Sequence, residues 1–307
     1  MEKTAIIQKA LSLGFSQCGF AHCEPIEELR PFYHDFVTGK RFATLQYLER
    51  YASERINPDL LLPGAKTVIG VTLNYVPHEM IPAADNFFIS RYAYGRDYHT
   101  IIRSGLEKLV EFMHTGSGEF SARIFVDSGP MLEKVWAQRC GLGWQGKNTL
   151  LVHKKTGSFL FIGMILTDLE VEPDPPGTDH CGDCEKCVQA CPTGALDTPY
   201  QLNIPRCISY LTIERKVEIP GDLREKLSNR IYGCDICQDA CPYNRHPPPH
   251  DMPEFLPSDE LVKMRKAEWL VLTEADFTRL FNGSPVARVG YARFMQNISA
   301  CIGQRGG

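Results

Sequence analysis

The chain has 307 residues, 43% apolar and 23% charged, with 33 Lys and Arg against 37 Asp and Glu. That composition belongs to a globular protein with a packed core, long enough for one large domain and a smaller one. A net charge of −4 supplies no overall attraction to nucleic acid, whose binders usually present a basic face, so any such contact must be local. No run approaches the roughly 18 apolar residues of a spanning helix. The opening MEKTAIIQKALSLGF carries charges in its first turns and lacks a small-residue cleavage site, so it reads as an amphipathic helix rather than a signal peptide. A cytoplasmic protein is expected. Its twelve cysteines then sit in a reducing compartment, where clustered thiols are more often metal ligands than disulfides.

Residues 3–14 read as a helix, and 18–21 as a short strand after a break at Gly14. KTVIGVTLNY (66–75) is rich in β-branched residues and predicts a buried strand. Residues 99–114 carry apolar side chains at 101, 102, 106, 109, 110 and 113, a helical spacing. A strand over 123–126, a helix over 132–139 and strands over 149–153 and 158–166 follow. Strands alternating with helices predict an α/β (α+β) layered domain over residues 1–170. VEPDPPG (171–177) breaks that texture, and a cysteine-dense segment over 171–246 forms the second domain. PPPH and MPEFLPSD (247–259) read as a rigid or extended connector. Residues 247–307 otherwise hold one or two helices, including KAEWLVLTEADFTRLF. Seven Lys and Arg against five Asp and Glu make residues 259–307 only faintly basic.

Two cysteine blocks share a pattern: Cys181-x2-Cys184-x2-Cys187-x3-Cys191-Pro192, and Cys207 followed by Cys234-x2-Cys237-x3-Cys241-Pro242. The first is the bacterial ferredoxin run, in which three cysteines hold one cubane and the fourth ligates the other. Reciprocity assigns Cys181, Cys184, Cys187 and Cys241 to cluster one. Cluster two takes Cys191, Cys207, Cys234 and Cys237. Zinc is the alternative, but its ribbons use two C-x2-C pairs and close with four ligands, a poor match to this spacing. Cys18, Cys23, Cys140 and Cys301 lie outside the pattern and read as small buried hydrophobes. Two clusters imply sequential one-electron transfer, so the first 170 residues must hold whatever uses the electrons.

GLGWQG (141–146) matches G-x-G-x-x-G, yet a helix precedes it and a strand follows. A dinucleotide loop has the opposite order, so a helix C-cap running into a strand is expected. DYHTII (97–102) begins like the D-x-H-x-x-G cobalamin motif but has Ile102 where glycine belongs; on pattern alone Tyr98 and His99 simply start a helix. Asp127 follows a predicted strand immediately before Ser-Gly-Pro. It is either a working carboxylate at a strand end or a cap for the helix after it.

VDSGP (126–130), GWQGKN (143–148), CGDCEKCVQACPTGAL, RCISYLT (206–212) and YGCDICQDACPYN (232–244) together resemble the epoxyqueuosine reductase family over most of residues 1–245. The resemblance implies reduction of the epoxide of epoxyqueuosine in a tRNA anticodon to queuosine. It implies cobalamin without a lower histidine ligand, with electrons passing through two [4Fe–4S] clusters to the corrin and Asp127 as proton donor. That role needs Asp127 protonated at working pH, which burial beside the corrin would favour. Carried over by motif, Arg55, Asn148, Ser209, Cys234 and Asp235 lie near the corrin, with Ser90, Tyr98, His99, Leu151 and Ile162 also lining its pocket. Cluster two is then the one adjacent to cobalt. Lys147 is an exposed lysine available to a phosphate. Fuller family members continue into helical repeats, whereas this chain ends at Gly307, which bears on how tRNA is held. A monomer fed by an external low-potential electron donor, with no membrane partner, is expected. The anticodon loop would be gripped by a few Lys and Arg contacts and base stacking in a salt-sensitive complex. Two alternatives remain: a corrinoid reductive dehalogenase of small molecules, and a ferredoxin-type electron-transfer protein without cobalamin.

Overall fold

The computed structural model describes residues 2–303. Helix α1 (Lys3–Ser12) leads into β1 (Gln17–His22), and two short helices, α2 (Arg30–Thr38) and α3 (Ala52–Ile56), precede β2 (Thr67–Asn74). Next come β3 (Phe88–Ile89), α4 (Tyr98–Ser117), β4 (Ala122–Phe125), α5 (Glu133–Arg139), β5 (Trp144–Gln145), β6 (Leu151–Val152) and β7 (Leu160–Thr167). Beyond the proline-rich break lie α6 (Lys186–Ala190), α7 (Ile208–Ile213), α8 (Gly221–Arg224), β8 (Arg230–Tyr232) and α9 (Ile236–Asp239). The last elements are α10 (Asp259–Lys263), α11 (Lys266–Leu270), α12 (Glu274–Leu280) and α13 (Tyr291–Ile302). No helix among the described residues is long and apolar enough to cross a membrane.

The chain divides into two units, residues up to 74 with 99–184, and 75–98 with those from 185 onward. The sequence reading, with breaks near 170 and 246, had no reason to pair the 75–98 excursion with the C-terminal half.

The first unit is built on a four-stranded sheet in the order β1-β2-β7-β4, antiparallel throughout. Alternation of strands and helices is realised here without the parallel sheet it usually accompanies. Every residue of β2 is buried, as its β-branched content predicts, because helices cover both faces. On one face α4 packs against β7 at Gly163, where an added methyl would meet Ile102 and Leu106. On the other face Trp136, Ala137 and Cys140 join Val68, Met164 and Leu166 in a single core.

That second face depends on a glycine pair. Gly19 and Gly70 sit opposite each other across β1 and β2, and the C-terminal end of α5 rests on both. A methyl on Gly19 would lie 2.0 Å from the Cys140 carbonyl oxygen, and one on Gly70 would lie 2.8 Å from Leu142. Helix α5 ends there in a Schellman motif: Gly141 N–H donates to Gln138 O and Leu142 N–H to Ala137 O, with Gly141 at φ +73°. The chain then enters β5. GLGWQG is thus a helix cap leading into a strand, as its order in the sequence required.

The second unit holds a parallel pair, β3 with β8, and a core of aromatic side chains in which Trp269, Phe281 and Phe294 are fully buried. Trp269 stacks on Phe281, and its Nε1–H donates to Asn86 Oδ1 at 2.7 Å. The C-terminal region has four helices rather than one or two. KAEWLVLTEADFTRLF splits because Thr273 caps α12, its hydroxyl accepting from Asp276 N while the Asp276 carboxylate accepts from Thr273 N. Helix α13 was hidden in a segment read for its arginines. It buries Phe294, Asn297, Ile298 and Cys301, and Asn297 Nδ2 donates to the carbonyls of Thr212 and Ile231. The 247–259 segment is extended apart from a short 3-10 turn at Pro253–Phe255. It is also packed within this unit: Phe255 and His250 are buried, and His250 N–H donates to Val76 O.

Gly19→Ala must push α5 off the sheet. We expect a loss of about 2 kcal/mol, read as a lower urea midpoint with unchanged slope; a midpoint equal to wild type would contradict this packing.

Candidate active site

In the second unit α6 and α9 pack together, and each carries one ligand cysteine after a C-x2-C turn, Cys187 and Cys237. Burial pushes the Cys237 thiol well up, and the charges of Cys234, Cys207 and Cys187 push it further. Burial raises Cys234 to about 12, opposed by the Ile236 N–H and reinforced by Cys207. Cys207 is raised by burial, eased by the N–H groups of Tyr210 and Ser209, and raised again by Cys191. Burial also pushes Cys191 up, but the Thr193 hydroxyl and the N–H groups of Ala195, Thr193 and Leu196 outweigh it and leave that thiol lowered. Cys207 thus lies within reach of the charge of Cys191, Cys234 within reach of Cys207, and Cys237 within reach of Cys234, Cys207 and Cys187.

This environment suits a [4Fe–4S] cluster. Burial disfavours free thiolates, the cluster irons supply the missing positive charge, and N–H donors to sulfur tune its potential. Among the described residues no three His, Cys, Asp or Glu side chains gather closely enough to hold a single metal ion. A cubane differs in that each thiolate meets its own iron. Cys181 and Cys184 belong to the first unit, where Trp144 Nε1–H donates to Cys181 Sγ at 3.4 Å and Gly146 leaves room for that sulfur. The four cysteines outside the pattern are held as thiols. Burial raises Cys18, Cys23 and Cys301 to about 12 and Cys140 higher still.

Asp235 is fully buried beside Cys234. It accepts from Ser90 Oγ at 2.5 Å and from Arg91 N at 3.0 Å, and pairs with the Arg91 guanidinium at 3.3 Å. Burial raises its pKa and Arg91 opposes that rise. Two residues predicted separately, Ser90 and Asp235, are thus direct partners. Tyr98 opens α4 and meets Tyr92 edge-on at 6.1 Å.

The first unit gathers a different set. His99, in the first turn of α4, places Nε2 3.5 Å from Asp127 Oδ2. Asp127 lies two residues past β4, at φ +55°, in a left-handed conformation that Asp tolerates better than most residues. Its side chain is 61% exposed, and it does not cap α5, whose N-cap is Leu132. The carboxyl with a raised pKa is Glu133, at the start of α5. Burial first and the Asp127 charge second push it up to about 8, while its Oε1 accepts the Asp127 N–H at 2.6 Å. Glu133 was missed because nothing in VDSGPMLEK distinguishes it from a surface helix residue.

Ser128, Gly129 and Pro130 of the same loop line a cleft of about 420 Å³ with Arg103, Arg123 and Tyr51. Arg55 is buried on α3; one Nη donates to Tyr47 O at 3.2 Å, and its Nε has no hydrogen-bond partner. Asn148 and Leu151 are buried and Ile162 half-buried. Lys147, expected to be exposed, is buried.

A family model described as 4Fe-4S double cluster binding domain matches residues 180–244, a span that contains all eight patterned cysteines. A second, described as epoxyqueuosine reductase QueG, DUF1730, matches residues 55–128. The epoxyqueuosine reductase of Cellulophaga algicola is 43% identical over 94% of each chain. The chain belongs to the epoxyqueuosine reductase family, a family of oxidoreductases. An epoxyqueuosine reductase solved with an epoxyqueuosine-modified tRNA-Tyr stem loop is 31% identical, superposes with a TM-score of 0.91 and is covered over 98% of this chain and 81% of that one. The Bacillus subtilis epoxyqueuosine reductase, solved with its catalytic aspartate loop swung out of the active site, has the same identity and coverage at a TM-score of 0.89.

In this member of the epoxyqueuosine reductase family the Arg91 guanidinium is the counter-charge of the buried Asp235. Arg91→Met leaves that carboxylate without its counter-charge and is expected to cost about 3 kcal/mol. Chemical denaturation checks this, and a loss below about 1 kcal/mol would mean that the pair contributes little.

Proposed function

We propose that this protein reduces epoxyqueuosine in a tRNA anticodon to queuosine, using cobalamin and two [4Fe–4S] clusters supplied by an external low-potential donor. The observation that carries this reading is the coexistence, in one chain of this family, of the eight-cysteine module and the exposed Asp127 carboxyl paired with His99. The net change breaks both C–O bonds of the epoxide, forms a C=C bond and releases the oxygen as water, consuming two electrons and two protons. Bound cobalamin would supply the low-potential electrons for this reduction, and the clusters would relay them one at a time.

The residues of this chain handle the proton and the positioning. Asp127 presents its carboxyl to solvent, where a substrate can reach it, and donates a proton to the oxygen as negative charge develops there. His99 Nε2, 3.5 Å away, holds that carboxyl and passes on a proton once Asp127 has given up its own. The relative crystallised with its catalytic aspartate loop swung out agrees with an acid carried on a movable loop. Cluster one is assigned to Cys181, Cys184, Cys187 and Cys241, and cluster two to Cys191, Cys207, Cys234 and Cys237. In the first unit Arg55, Asn148, Leu151 and Ile162 are assigned to the corrin. The partnerless buried Nε of Arg55 suits the amide carbonyls that rim such a ring, since a buried donor without an acceptor is costly. Arg103 and Arg123, lining the cleft beside the Asp127 loop, suit the phosphates of an RNA backbone and give a local positive site on a chain of net negative charge.

An anaerobic assay on epoxyqueuosine-containing tRNA, with and without cobalamin, tests the reading. Wild type should turn over only with cobalamin, and Asp127→Asn should lose at least about 100-fold in rate, the usual scale of general acid catalysis. Equal rates for the two proteins would remove Asp127 from this role. Cobalamin uptake with cleavage of a small organohalide and no tRNA turnover would instead favour dehalogenation.

A further inference from the structure

We propose that Glu133 is a positioning residue for the reductase reaction, a proton-linked latch that holds the Asp127 loop in place by accepting the Asp127 amide. This deepens the reductase reading, on which the role of Asp127 rests. Three observations within the first unit carry it. Glu133 Oε1 accepts the Asp127 N–H at 2.6 Å. Asp127 holds a left-handed backbone at φ +55°, so the amide that Glu133 accepts belongs to the turn itself. Asp127 and Ser128 are exposed, and within the loop Ser128 N–H donates to Val126 O in a tight turn.

The groups facing Glu133 are the Asp127 carboxylate from the loop, the His99 imidazole from α4, and Lys134 beside it on α5. Lys134 Nζ donates to Thr149 O. Burial and the Asp127 carboxylate raise the Glu133 pKa from an ordinary 4.5 to about 8, outweighing the Asp127 N–H, His99 and Lys134, which all favour an ionised Glu133. A latched Glu133 therefore keeps a proton that a released, solvated one gives up. Below about 4.5 both conformations are protonated and pH has no effect on the balance. As pH rises from about 4.5 to about 8 the latched population falls, by at most tenfold per unit. Above 8 both are ionised and the dependence ends. The latch is thus favoured on the acid side, the side on which a proton donor is loaded.

Two substitutions separate the hydrogen bond from the charge. Glu133→Gln keeps an acceptor oxygen and cannot ionise, whereas Glu133→Ala removes both. Hydrogen–deuterium exchange of residues 125–133 in the full chain, corrected for the intrinsic rate at each pH, reads the latch without substrate or cofactor. Wild type should lose protection from pH 6 to 8. Glu133→Gln should be protected at every pH, and Glu133→Ala should be unprotected throughout. In turnover the wild-type decline in kcat over that range should vanish in Glu133→Gln, while Glu133→Ala lowers kcat with little change in KM. A pH dependence in Glu133→Gln like that of wild type would overturn the proposal, as would wild-type protection in Glu133→Ala. Should Glu133→Ala fail to fold, the Glu133→Gln profile alone decides. Because exchange needs no turnover, failure of the latch is distinguishable from failure of the reductase assignment.

Discussion

The contact on which the first unit depends is the seating of α5 on the bare backbone of β1 and β2 at Gly19 and Gly70. With no side chain at either position, the last carbonyl of the helix reaches the sheet, and the helix cannot slide without a clash. Both ends of α5 then become fixed points. Its first residue, Glu133, meets the Asp127 amide. Its capped end turns through Gly141 into Trp144, which donates to Cys181. One seven-residue helix thus ties the Asp127 loop and Cys181 to the same rigid support. The precision a reactive site needs comes from packing under the loops rather than from the loops themselves.

The cysteines illustrate how one side chain serves two purposes. Cys140 is fully buried with its sulfur on the Val68 carbonyl, and burial outweighs the Gly70 N–H, which favours its thiolate. The patterned cysteines are half-buried, as Cys18 and Cys23 are, yet amide N–H groups converge on several of them. Burial keeps water away, and the amides lower the cost of negative sulfur once iron is present. Exposure alone would not separate these populations; the donors around each sulfur do.

Legibility in the sequence followed the range of the interactions involved. β2 and β7 were readable because a strand covered on both faces must be apolar throughout, and α4 because one helix face is. The eight-cysteine module was readable because ligand spacing is a local constraint. The 75–98 excursion was not: its partners are β8, Met264 and Trp269, more than a hundred residues away. Helix α13 was obscured because Asn297, polar in the sequence, is fully buried and satisfied by two distant carbonyls. Glu133 was invisible for a related reason. Its protonation arises from burial and from Asp127, so it exists only once the loop has folded back.

The backbone at Asp127 also limits what its side chain can become. Among acidic residues Asp alone sits readily in the left-handed region, because its short polar side chain can bond locally. Glutamate there would strain the main chain, so the acid cannot be moved outward by one methylene without moving the turn as well. The reach of the carboxyl is therefore set by a torsion angle, and a longer acid at this position would require the turn to be rebuilt.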